Sequence, residues 1–252
     1  MKRILKAFVM SFSMFTAIPC PFQIWDEEAR PLMTVCLPVV GAILGALWFL
    51  LAWGLKAAGI PWIFSAAILT VYPLFITGFM HMDGLMDVTD AVKSWRDRDE
   101  RLRILKDSHT GAFAVIACVM YLILLFASFA SFSENVKLTC LIFIPVISRG
   151  MSALFVTILK PLQVSEYAGS YRENIKKSHV IICLVFLVAA LALMIVLGRW
   201  QGLSGVAVIL GYLLFLRKAY KSLGGMSGDI SGYALTWSEL FGIAALMLLG
   251  MI

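Results

Sequence analysis

Three aspartates recur at intervals of four and three in His81-Met82-Asp83-Gly84-Leu85-Met86-Asp87-Val88-Thr89-Asp90-Ala91. On a helix this spacing places Asp83, Asp87 and Asp90 on one face. Like charges at i,i+4 repel by a few tenths of a kcal/mol, and a bound divalent cation removes that repulsion. Mg²⁺ takes one or two carboxylates and completes its shell with water and substrate phosphate oxygens, which such a face could supply. Mn²⁺ shares the preference for oxygen ligands. Gly84 leaves room beside the first Asp for a ligand or a neighbouring backbone. The plain alternative is a solvated helix end whose acids face the basic residues that follow.

A second acidic segment reads Leu223-Gly224-Gly225-Met226-Ser227-Gly228-Asp229-Ile230-Ser231-Gly232, followed by Glu239. Four glycines in nine residues make poor helix and suit a loop whose backbone N–H groups face an anion; a flexible connection between helices would look the same. Arg149 interrupts an apolar run, where a charged residue marks either a functional site or a buried pair, and Glu239 is the candidate partner. His81 and His109 are possible bases or phosphate donors near neutral pH, or simply polar residues at helix ends.

These groups must be positioned by lipid-embedded helices. The chain has 252 residues, 61% apolar and 14% charged, against about 25% charged in soluble domains. Its mean hydropathy is +0.92. Such a composition excludes a soluble globular enzyme, a disordered regulator and a disulfide-stapled secreted domain. The net charge of +6 is too small and scattered for a nucleic-acid surface. Cys36, Cys118, Cys140 and Cys183 lie in apolar runs without zinc-site or disulfide spacing. Gaps between charges, compared with the ~20 apolar residues needed for a crossing, predict seven transmembrane helices. Two of them lie at 180–198 and 200–216, on either side of Arg199.

Ile4–Ile18 is too short to cross, reaching about 22 Å, so a re-entrant or interfacial N-terminal helix is expected. The stretches 83–107, 160–177 and 217–229 hold most of the Lys and Arg, whereas Lys56, Lys137 and Arg199 would lie on the opposite side. The positive-inside rule then puts the N-terminus and the acidic segments in the cytoplasm. Residues 83–107 alone carry thirteen charged groups. The expectation is an all-α, polytopic membrane helix bundle, one integral membrane catalytic domain spanning residues 1–252.

The motifs carry a specific resemblance. Thr77-Gly78-Phe79-Met80-His81-Met82-Asp83-Gly84-Leu85-Met86-Asp87-Val88-Thr89-Asp90-Ala91 resembles the G-G-x-H-x-D-G-L-x-D-x-x-D-A signature of the cobalamin-5′-phosphate synthase family, also called adenosylcobinamide-GDP ribazoletransferase. Lys106-Asp107-Ser108-His109-Thr110-Gly111-Ala112-Phe113 is similar to its K-D-S-x-x-G-x-F element. Leu223-Gly224-Gly225-Met226-Ser227-Gly228-Asp229 with Glu239 is similar to its G-G-x-T-G-D…E element. Ser148-Arg149 and Pro38-Val39-Val40-Gly41 fall where the family has an S-R pair and a P-x-V-G turn. Thr77, Ser227 and Ala114 depart from the pattern without removing an acid.

The resemblance implies a multi-pass enzyme of the prokaryotic cell membrane that joins adenosylcobinamide-GDP to α-ribazole, or its 5′-phosphate, and releases GMP. It implies Mg²⁺ (or Mn²⁺) held by Asp83, Asp87, Asp90 and Asp229, a proton acceptor among Asp90, Asp87 and His81, and substrate contacts from Lys106, Ser108, His109, Arg149, Gly224, Gly225 and Gly228. Other copies of the chain or other corrinoid-assembly enzymes are possible partners. Two other classes fit less well. A CDP-alcohol phosphotransferase-like lipid enzyme would place an Ala-Arg pair where Val88-Thr89 stands. A transporter would show internal repeats, and none is evident.

Overall fold

The computed structural model describes residues 2–22, 24–162 and 177–252. These form a helical bundle: α1 (Lys2–Phe15), α2 (Arg30–Val35), α3 (Leu37–Ala57), α4 (Trp62–Ile76), α5 (Met80–Lys93), α6 (Arg98–Ile104), α7 (Ala112–Ala130), α8 (Cys140–Ile158), α9 (Lys177–Gly198), a 3₁₀ turn (Arg199–Leu203), α10 (Ser204–Leu223) and α11 (Gly228–Leu249). Arg172 and Lys176, counted in the basic stretch 160–177, lie outside the described residues.

Five helical stretches are long and apolar enough to cross a bilayer, or six if α4 and α5 count as one bent span. The charge gaps predict seven, and the difference has a physical origin. The last two expected spans before α11 form one continuous stretch, Lys177–Leu223, which folds back at its 3₁₀ turn. Arg199 there adopts φ +53°, and Gly205 lies so close to α9 that a Cβ would stand 2.8 Å from the Leu191 side chain. The α4–α5 pair bends by 86° through Gly78 and Phe79, both left-handed with φ +60° and +64°. That bend turns the polar α5 out of the line of α4.

The centre of the bundle is α8, with fourteen of nineteen residues buried. Gly41 and Gly45 of α3 lie one turn apart against it, the spacing that lets membrane helices approach backbone to backbone. A Cβ at either position would stand 2.9 Å from the Pro145 carbonyl carbon or from Ile142 Cα. On its other sides α8 meets α9 and α11, and α11 packs along α10.

The two ends of the bundle differ. At one end Ser133 Oγ donates to the Gly250 carbonyl at 2.6 Å. Gln201 there accepts from the Lys137 amide at 2.7 Å and donates to the Asn135 carbonyl at 3.1 Å. Lys56 and Lys137 share a groove at this end, and Arg199 adjoins Trp200, whose indole donates to the Leu249 carbonyl. At the other end, Arg98 Nε donates to the Leu223 carbonyl at 3.0 Å. Residues 160–162 pair there with Met226, through Leu162 N–H to Met226 and Met226 N–H to Lys160, each 2.8 Å. The expected partition of charged segments between two faces is therefore present among the described residues. Helix α1 is amphipathic, shorter than a crossing, and joins the second end: the Ala17 amide donates to the Ile76 carbonyl at 2.8 Å.

Candidate active site

The acids of α5 and the start of α11 meet at Gly84. A Cβ there would stand 2.8 Å from the Asp229 carbonyl oxygen and 3.0 Å from its Cα, so glycine is what lets the second acidic segment reach the first. One turn further along α11 and one turn back along α5, Gly232 lies beside His81, and Thr236 Oγ1 donates to the His81 carbonyl at 3.1 Å. Asp83 is exposed and Asp87 and Asp90 are half-buried. Burial first, then the charges of Asp83, Asp229 and Asp90, pushes the Asp87 carboxyl up to about 6.

The three aspartates of α5 do not stand in equivalent places. Asp90 accepts from the Gly111 amide at 2.6 Å and from the Ala114 amide at 2.9 Å, one on each carboxylate oxygen. It therefore caps the first turn of α7, where four backbone N–H groups lack helical partners. Gly111 is needed there, because a Cβ would fall 2.6 Å from the Asp90 carboxylate.

Four of the expected residues, His81, Arg149, Gly228 and Asp229, converge on a cavity of about 350 Å³. Arg149 is 2% exposed and is the buried partner of Glu239: its guanidinium donates at 2.7 Å to the carboxylate oxygen that also accepts from Ser148 at 2.8 Å. Pairing and site-lining are thus both true of this residue. Arg149 Nε and His81 Nε2 are buried and carry no hydrogen-bond partner among the described residues. Lys106, Ser108 and His109 are exposed on the turn between α6 and α7 and do not line the cavity; His109 bonds Asp107 through its amide at 3.0 Å and Nδ1 at 2.7 Å.

The glycine loop divides in two. Gly224 caps α10 with φ +81°, its amide bonded to the Tyr220 carbonyl and its Cβ side filled by the Arg98 guanidinium. Gly225 admits the backbone of Leu162. The expectation that the amides of Gly224–Gly228 together face an anion is corrected: those of Gly224 and Met226 are bonded within the fold. Gly228, with open space beside it, begins α11, and Ser227 caps that helix through the Ile230 amide at 3.2 Å.

Motif reading missed the other wall of the cavity, made by Met14, Phe15, Trp25, Met33 and Thr34 from the N-terminal segment. It also missed Ser152, hydrogen-bonded to Ser231 at 2.6 Å, although serines at 148 and 152 with Arg149 inside an apolar run are a signal of a polar helix face. Arg98, which ties α6 to the glycine loop, is hidden in the run of charges.

Asp83, Asp87 and Asp229 are hard oxygen donors suited to Mg²⁺, which needs few protein ligands when a diphosphate supplies the rest. Among the described residues, no three His, Cys, Asp or Glu side chains are already gathered into a metal-ligand cluster. Burial is the larger cause of the raised Asp87 carboxyl and the neighbouring carboxylates the smaller one; a divalent cation would relieve the latter, and the oxygen donors of Asp83, Asp87 and Asp229 are of the kind such an ion takes.

The fold and site define a multi-pass membrane protein in which the start of α11, with Asp229, meets the acid-bearing α5 at one end. The chain belongs to the cobalamin-5-phosphate synthase family, an enzyme family whose model matches residues 7–247. It is 39% identical over 251 residues to the adenosylcobinamide-GDP ribazoletransferase of Clostridium botulinum, covering 96% of this chain and 97% of that one. The enzyme of the same name from Clostridium perfringens is also 39% identical, over the whole of both chains. That of Lachnoclostridium phytofermentans is 30% identical over 96% of this chain and 94% of its own. No solved structure matches.

Proposed function

We propose that this chain joins adenosylcobinamide-GDP to α-ribazole or α-ribazole 5′-phosphate and releases GMP, at the rim where α5 meets the start of α11. The family and the relatives' names support the reaction. The observation that carries the site is the approach at Gly84, which sets Asp229, a residue lining the cavity, beside α5 and its acids.

In this reading Asp83, Asp87 and Asp229 hold Mg²⁺, or Mn²⁺ in its place. The ion, when bound, neutralises the diphosphate and polarises the attacked phosphorus. Gly228 and the first amides of α11 face a phosphate oxygen, while Lys106, Ser108 and His109 supply polar and cationic groups along the same rim. His81 Nε2 orients the ribose hydroxyl, and Asp87 takes its proton. The hydroxyl oxygen bonds to the phosphorus attached to the cobinamide, the bond from that phosphorus to the bridging oxygen of GMP breaks, and GMP leaves with the electron pair. Asp90, expected as a ligand or base, is given the task of anchoring α7 beside the site. Arg149 holds substrate through its cavity-lining side while Glu239 fixes its position. The concentration of Lys and Arg at this end supports a cytoplasmic active face in a prokaryotic cell membrane.

The test uses purified full-length protein with adenosylcobinamide-GDP, α-ribazole and Mg²⁺, with and without chelator. GMP and a cobalamin product are expected only with the metal. Asp83→Asn and Asp87→Asn are expected to lower GMP release by at least about 100-fold, on the scale of losing one electrostatic stabiliser, in protein that remains folded. Normal turnover in both variants would remove the metal from the proposal.

A further inference from the structure

We propose that the groove between the end of α3 and the start of α8, at the end of the bundle away from the acids, seats an acidic phospholipid. Lys56 and Lys137 hold its phosphate, and the apolar side chains beside them take its acyl chains. The groove follows from how the two helices pack. Gly41 lies against Pro145 and Gly45 against Ile142, so the pair runs antiparallel. The last turns of α3 therefore arrive beside the residues that lead into α8. Phe49, Trp53 and Lys56 line the groove from α3, and Val136, Lys137 and Leu138 line it from the turn before α8.

Both helices are long and apolar enough to cross a bilayer, so the groove lies where two spans reach the membrane surface. Phe49, Trp53 and Lys56 recur at i, i+4 and i+7 and share one face of α3. Seven residues of helix separate Phe49 from Lys56 by about 10 Å, more than the depth of one headgroup layer. With the Lys56 ammonium among the headgroups, the phenyl ring lies level with acyl chains, and the Trp53 indole stands between them as interfacial indoles do. No Asp or Glu lines the groove, and neither lysine takes part in an ion pair among the described residues. The far wall is preformed. Gln201, 2% exposed, accepts from the Lys137 amide and donates to the Asn135 carbonyl, so little ordering remains to be done on binding. A free phosphate would engage the ammonium groups and make no use of Phe49, Trp53, Val136 and Leu138. An acidic lipid uses both parts, as basic pockets between transmembrane helices do.

Trp53 supplies a local readout, because brominated acyl chains quench an indole they touch. Full-length protein is reconstituted in phosphatidylcholine vesicles in which brominated phosphatidylglycerol or brominated phosphatidylcholine replaces part of the lipid. The signal of Trp53 is the difference between wild type and Trp53→Phe. Wild type is expected to prefer phosphatidylglycerol at this position by about fivefold per lysine. The double variant Lys56→Gln, Lys137→Gln is expected to lose that preference, and each single variant to lose about fivefold of it. Both lysines are exposed; should the double variant fail to fold, the single variants decide. Inorganic phosphate at matched ionic strength is expected to leave the preference unchanged, and its disappearance there would assign the groove to small anions and overturn the lipid. Equal quenching by the two lipids in wild type, or a preference that survives loss of both lysines, would overturn the proposal outright.

Discussion

Asp90 accepts backbone amides on both carboxylate oxygens, whereas Asp83, two turns earlier on the same helix face, stands open to solvent. Equal spacing therefore hides unequal work, and the two are separable by stability. Asp90→Ala is expected to cost about 1–2 kcal/mol through loss of the α7 cap, seen as a lower unfolding temperature; Asp83→Asn is expected to leave that temperature unchanged in metal-free protein. Equal behaviour of the two would show that Asp90 is not a cap in this sense. Asp87 makes a different prediction. Its folded value of about 6 lies above the ordinary 3.8, so the folded state favours its proton. That stabilisation is complete below the unfolded value and is lost as pH rises through about 6. Metal-free protein is accordingly expected to melt at a lower temperature at pH 7 than at pH 5.5, and Mg²⁺ is expected to restore the loss at pH 7. Asp87→Asn should flatten both responses, and a wild-type slope surviving in that variant would assign the effect elsewhere.

Among the elements, α3 and α8 approach through Gly41 and Gly45 until a Cβ would meet backbone at Pro145 and Ile142. Neither partner can withdraw, because α8 is held on its other sides by α9 and α11. Gly45→Leu is expected to destabilise by more than about 3 kcal/mol, beyond the usual range for overpacking, read as loss of folded protein in detergent; a folded, active Gly45→Leu protein would show that α3 has freedom to shift. Much of the element order could be read in advance. Uncharged runs between Arg30 and Lys56 and between Gly111 and Ser133 became α3 and α7 because lipid admits few charges. Three features escaped that logic. The bend at Gly78–Phe79 depends on backbone angles. The Asp90–Gly111 bond joins residues from separate motifs, and the Met14–Met33 wall uses ordinary apolar residues that no chemical signature distinguishes.

For the molecule as a whole, the two ends carry different charge. Lys106 stands at the end with the carboxylates and Lys137 at the end with the C-terminal helix terminus. With the native cysteines replaced, Lys106→Cys is expected to react with a membrane-impermeant thiol reagent only from the cytoplasmic side, and Lys137→Cys only from outside. Reversed labelling would place the reaction on the other side of the membrane. The buried pair between Arg149 and Glu239 bears on how such a chain is made. Ninety residues separate the partners, so during synthesis α8 reaches the membrane with its guanidinium long before the carboxylate that will neutralise it has been translated. A charge at mid-bilayer is unfavourable by several kcal/mol until it is matched. The order of translation therefore leads us to expect α8, the central helix of the finished bundle, to complete its insertion only once α11 has been made.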